Sequence, residues 1–278
     1  MPLSRAQRDA LDRSVSPARM GTYLRAASGD ADLARALYGW DRELAVAFFA
    51  DVALLEVALR NAVHDRLTER WGARWFERVD VPLDDRSTAQ LAEAYGRVVG
   101  PKLPGRVVAQ CTFGFWAGLL DRGAYAGRDP RRVRCDYDLV LWRGGLDRAF
   151  PGGRAVARAD GERWGRVYAH QVVTRVNALR NRVAHHEPLI SGYPLPGQRG
   201  PDGRERRRSA GEGFQDLLRL AGMLDRHLRS LLLRTSRVPE LLARRPRASD
   251  LRRRTMPSRP SALRWSRPRR RSGTAPTR

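Results

Sequence analysis

Cysteine, lysine and alternating apolar runs are all scarce in this chain of 278 residues. Two cysteines, Cys111 and Cys135, are too few for a disulfide-stapled scaffold and too isolated for a zinc site. No acidic cluster offers itself for a two-metal centre, so neither a metal nor a cofactor is expected. The richest apolar stretch, AVAFFADVALLEVAL, is broken by Asp51 and Glu56 and falls short of the ~20 residues that cross a bilayer, so no membrane partner is expected. The first residues, MPLSRAQRDALDRS, hold no apolar signal-peptide core. With so few thiols, the expected setting is cytoplasmic and reducing. A DNA-binding regulator is disfavoured for want of a helix-turn-helix signature.

Arginine is what the chain has in excess. Basic residues number 53 against 30 acidic ones, a net charge of +23, and Lys102 is the only lysine. A GC-rich coding sequence would account for arginine in place of lysine, but not for arginine beyond the count of Asp and Glu. Such a charge repels itself in a compact state unless an anionic partner or a tail carries it, and nucleic acid is the partner it suits. Residues 236–278 hold fourteen arginines against Glu240 and Asp250, and six prolines interrupt them. This composition predicts a disordered basic tail that touches phosphates without reading sequence, with Trp265 available to stack on a base. The globular domain is then expected over residues 1–235.

Within that domain, helical periodicity dominates and the fold class is all-α. Short helices are predicted over residues 17–27 and 30–38, the second capped by Asp30, and a long one over 41–71. Leu44, Phe48, Val52, Leu55, Leu59, Val63 and Leu67 recur every three or four residues and must face a core. Further helices are predicted over 84–99, through VVAQCTFGFWAGLLD, and over 159–185. In the last of these Trp164, Tyr168, Val172, Val176, Leu179 and Val183 form the apolar face. A Pro, Gly and Arg-rich loop is expected over about 191–213, then a final amphipathic helix over 214–235.

Beside the apolar face of the 159–185 segment runs a polar one: His170, Thr174, Asn177, Asn181 and His185. Arg180, Arg182 and His186 gather at its end, in the string NALRNRVAHHEPL. Imidazoles that move protons beside guanidinium groups that hold phosphate make a candidate catalytic site. Arg180 and His185 stand about 140° apart on an ideal helix, so acting together requires the helix to loosen before Pro188 or a second copy to supply partners. In the long helix, EVALRNAVH places Glu56, Arg60 and His64 four residues apart. Glu56 and Arg60 can pair and brace the core, or one of them can reach across to orient Arg180 or His185.

RNRVAHHEP resembles the motif of the HEPN superfamily, an Arg followed by a polar residue, three further residues and a His, as found in the Abi-like abortive-infection proteins. LYGWDRELAVAFFADVALLEVALRN, TFGFW and LWRGGLDRAFP add to the likeness, which covers residues 16–236. The resemblance implies a HEPN-like helical bundle with additional helices and metal-independent endoribonuclease activity in phage defence or toxin–antitoxin systems. It makes Arg180 and His185 the catalytic candidates with Asn181 as polar companion and His186 beside them, and Glu56, Arg60, Asn177 and Arg182 in support. RNA, a second copy of the chain, and an antitoxin or phage trigger are the implied partners. A protein that keeps this fold and basic surface to bind or sense RNA without cutting it is the alternative.

Overall fold

The computed structural model describes residues 3–250, which fold mainly as helices. The described residues up to Pro246 form one compact unit. Ser4 and Gln7 close a capping box on α1 (Arg5–Ser14), and Ser16 with Pro17 in the first turn opens α2 (Pro17–Ala26). Asp30 caps α3 (Ala31–Trp71), accepting from the amides of Asp32 and Leu33 as the sequence predicts. At 41 residues α3 is about 60 Å long. It absorbs both the 30–38 and the 41–71 segments. Gly39 does not break it, because Leu37, Trp40, Asp41 and Leu44 are all buried around that point, and their packing outweighs the ~1 kcal/mol that glycine costs a helix.

α3 is the central helix of this unit. Its buried stripe carries every residue of the predicted series from Leu44 to Leu67, and Gly72, at φ 85°, ends it. A short turn at Trp75–Glu77 leads to α4 (Asp85–Arg97), α5 (Pro104–Gln110) and α6 (Phe113–Gly118). The single helix expected through VVAQCTFGFWAGLLD is thus two, because Thr112 caps a new start by accepting from the Phe115 amide. Phe113, Phe115 and Trp116 are buried, with Trp75 packed against the last two. A minimal hairpin, β1 (Tyr125–Ala126) and β2 (Val133–Arg134), and turns at Asp138–Trp142 and Leu146–Ala149 precede α7 (Gly153–Ala159).

The expected helix over 159–185 begins later, as α8 (Arg166–Ala184). Gly161, at φ 72°, reverses the chain, and Asp160 is engaged with Tyr168 and Arg219. Trp164 therefore lies outside the helix, against Trp142, Phe150 and Tyr168. Tyr168, Val172, Val176, Leu179 and Val183 are buried, and α8 packs on α3.

The stretch over 191–213 is no irregular loop. It contains an antiparallel hairpin, β3 (Tyr193–Arg199) and β4 (Glu205–Arg208), and the first turn of α9 (Ala210–Leu224). Gly192, at φ 72°, starts it where any Cβ would stand 2.2 Å from the Arg208 carbonyl oxygen. Arg208, on β4, reaches the fully buried Asp216 at 2.6 Å and ties the hairpin to α9. The helix expected over 214–235 is broken by Asp225, whose side chain caps α10 (Arg226–Thr235). The break turns Leu231 outward and puts Leu232 in the core.

The domain also runs past residue 235. α11 (Val238–Ala243) follows, and Val238 and Leu241 are buried. Ser236 donates to Asp51 at 2.6 Å, and Trp40 donates through Nε1 to the Leu241 carbonyl at 2.6 Å. These contacts with α3 correct the expectation of disorder from residue 236. Residues 251–278, including Trp265, lie outside the described residues. No described helix is long and apolar enough to cross a membrane.

Candidate active site

α8 ends as the motif begins to leave it. His185 is the C-cap residue, its amide bonded to the Asn181 carbonyl at 3.0 Å. His186 then adopts φ 55°, in the left-handed region. Its amide donates to Val183 and the Glu187 amide donates to Arg182, the pair of bonds that closes a helix end in a Schellman motif. Glycine is the usual occupant of that left-handed position, since a Cβ there costs about 1 kcal/mol or more. An imidazole held in it is strained backbone at the motif itself.

Two anchors keep this turn in place. The Arg182 guanidinium pairs with Glu187 and donates through Nε to the Pro188 carbonyl at 3.0 Å. Asp41, buried on α3, accepts from the Leu189 amide at 3.1 Å and from the Tyr23 hydroxyl at 2.8 Å. Burial pushes the Asp41 carboxyl above its ordinary range, against the pull of those bonds and of the Arg182 and Arg19 charges. Arg182 is thereby a brace of the turn.

Arg180 lies one turn back, half-buried, with its Nε 3.5 Å from the Glu56 carboxylate. That Nε is enclosed and makes no hydrogen bond within the protein, and the terminal nitrogens form none among the described residues, so these are the donors left for a further acceptor. Glu56 therefore reaches across from α3 to α8. The pairing of Glu56 with Arg60 as a brace is not formed, and Arg60 instead meets Asn61 through Nε at 3.5 Å. At 100° per residue Glu56 lies within about 60° of Tyr38, Ala45 and Phe49, on the edge of α3 that faces the end of α8.

The space between them is a cleft of about 550 Å³ lined by Arg19, Tyr38, Phe49, Arg180 and His186, among others. His185 and Asn181 are exposed nearby and are absent from its lining. The structure thus brings Arg180 and His186 to one cavity, with Glu56 behind Arg180 and absent from the lining, and leaves His185 exposed outside it. Asn177 is elsewhere: it sits against Gly114 of α6, with its Oδ1 buried and unpartnered, as is Thr174 Oγ1. The polar stripe of α8 passes from the interior at His170 and Asn177 to the surface at Asn181. Burial holds the His170 imidazole below its ordinary pKa, and it does the same for His64, whose Nδ1 accepts from Trp75 at 2.9 Å. His64 is half-buried against Trp75, away from the cleft lining.

Sequence reasoning missed Arg19, Tyr23, Tyr38, Arg42 and Asp41. The string LYGWDRELAVAFF does contain most of them, but its spacing reads as helix and says nothing of a cavity at the far end of another helix. Among the described residues no three His, Cys, Asp or Glu side chains gather where they could hold a metal ion. No protein-family model, curated protein or solved structure matches the chain.

Proposed function

We propose that the chain is a metal-independent endoribonuclease of the HEPN type, related to the Abi-like abortive-infection proteins and acting in phage defence or as a toxin. The observation that carries this reading is Arg180 held against Glu56 on the wall of a cleft that His186 also lines, with His185 adjacent. One imidazole takes the proton of a ribose 2′-hydroxyl, whose oxygen then attacks the neighbouring phosphorus. The other gives a proton to the departing 5′-oxygen. Arg180 stabilises the charge that builds on the phosphorane oxygens, for which a planar guanidinium with free donors is suited. The products are a 2′,3′-cyclic phosphate and a 5′-hydroxyl, and the need for a 2′-hydroxyl confines the reaction to RNA.

The acting form is a homodimer. Val46, Ala50, Ala53 and Val57 are exposed on α3 and fall within about 60° of arc, with Leu54 at their edge. An apolar stripe on the longest helix, next to the edge that carries Glu56, supports its burial against the same stripe of a second copy. That association joins two clefts and gives each exposed His185 a partner site.

The test is incubation of the purified chain with a structured RNA and the matching DNA in excess EDTA. RNA alone is cut, and Arg180→Ala, His185→Ala and His186→Ala each abolish cutting while the far-UV spectrum is unchanged. Binding without cleavage in any RNA class supports instead a protein that senses RNA.

A further inference from the structure

Resting on that reading, we infer that the cleft beside Arg180 is a subsite for a single unpaired nucleotide, its base held by Tyr38 and Phe49 and its phosphate by Arg42 and Arg19. The cavity, at about 550 Å³, is of the size that encloses a small ligand. Its lining has two chemistries side by side. Phe49 is 53% exposed, whereas its neighbour Phe48 on the same helix is fully buried. Tyr38, half-buried, meets Tyr23 in a T-shaped contact at 5.3 Å between ring centroids, which holds the ring in place at the cleft wall.

The cations are the second chemistry. Arg42 stands 5.9 Å from the Tyr38 ring centroid and pairs with no described carboxylate. Arg19, half-buried at the start of α2, likewise has no ion pair among the described residues, and its charge is felt by Tyr23 and Asp41. The carboxylate on the cleft wall, Glu187, is already neutralised by Arg182. An anion entering the cleft therefore meets free guanidinium groups.

Flat ring surface beside unpaired arginines in a concave site matches a base and its phosphate. Stacking of this kind accepts any base and requires that the base be out of a helix. A duplex cannot place a paired base there. The subsite thus selects unpaired nucleotides in loops, bulges or single strands, and it sets the ribose next to His186 and Arg180.

The test is binding of a 2′-O-methylated dinucleotide, which cannot be cleaved and is too short to engage many phosphate contacts, to the full chain by calorimetry. Ribose 5-phosphate and a 2′-O-methylated blunt duplex are the comparison ligands. The dinucleotide is expected to bind at least tenfold tighter than ribose 5-phosphate. Phe49→Ala and Tyr38→Leu weaken it by roughly five- to a hundredfold, whereas Phe49→Tyr restores it, and Arg42→Gln weakens both ligands. Equal affinity for dinucleotide and ribose 5-phosphate, preference for the duplex, or no effect of any variant would overturn the subsite. So would a loss of binding that follows a change in sedimentation mass, since the surface would then belong to a second copy. Tight dinucleotide binding by a chain that cuts no RNA leaves the subsite standing and removes the nuclease reading.

Discussion

At the scale of single residues, His186 carries the clearest conflict between folding and use. Its φ of 55° suits glycine, yet an imidazole occupies it on the wall of the cleft. His186→Gly is expected to raise stability by about 1 kcal/mol and to lose RNA cleavage. Chemical denaturation and a cleavage assay on the same sample check both halves. If the variant is more stable and fully active, His186 has no part in the chemistry. Glu56 acts through Arg180, so it is a positioning residue. Glu56→Gln removes the ion pair but keeps the shape, and kcat is expected to fall by roughly ten- to a hundredfold with KM little changed. The candidate motif was legible in the string RNRVAHHEP because charge and imidazole stand together there. The Glu56 to Arg180 contact was only one of two open pairings, since periodicity on one helix cannot say which neighbour it meets.

At the scale of elements, the apolar series from Leu44 to Leu67 and from Tyr168 to Val183 predicted which faces of α3 and α8 pack, and both are buried. Breaks were harder to read. Asp225 and Thr112 interrupt apolar patterns that continue through them, so only their capping chemistry marks the ends. Asp225→Ala is expected to cost about 1 kcal/mol, read as a lower unfolding midpoint. The hairpin of β3 and β4 escaped notice because its strands carry Pro, Gly and Arg and show no alternation. Ser209 and Glu212, a capping box, could have moved the start of α9 to Ala210.

The packing of α3 against Trp75 gives a pH signature at this same scale. Burial lowers the pKa of His64, so the folded state favours its neutral form and the unfolded chain binds the proton more readily. The stability it contributes is present above the unfolded value, 6.5, and is lost as pH falls through the lower folded pKa. His64→Gln keeps an acceptor for Trp75 and cannot titrate. Its thermal midpoint, followed from about pH 8 to 5, is expected to fall less on acidification than that of the wild type. Parallel profiles would show that His64 titrates alike in both states.

At the scale of the whole molecule, charge is the feature that reaches furthest. Residues 251–278 hold ten arginines and no Asp or Glu. Removing them, while keeping α11 and the contacts of Leu241 with Trp40 and of Ser236 with Asp51, is expected to leave the unfolding midpoint unchanged and to flatten the salt dependence of RNA binding. An unchanged slope would show that the tail neutralises no phosphates. The end of the domain was misplaced in the sequence because Val238 and Leu241 are few among prolines and arginines, and only their burial against α3 shows that they belong to the core.

The ends left on cut RNA test the central claim most directly. Cleavage in excess EDTA by the wild-type chain, and not by the Arg180→Ala/His185→Ala variant, is expected to leave 2′,3′-cyclic phosphate and 5′-hydroxyl termini. Ends bearing 3′-hydroxyl and 5′-phosphate, or identical ends from the variant, would contradict attack by the 2′-hydroxyl at this site.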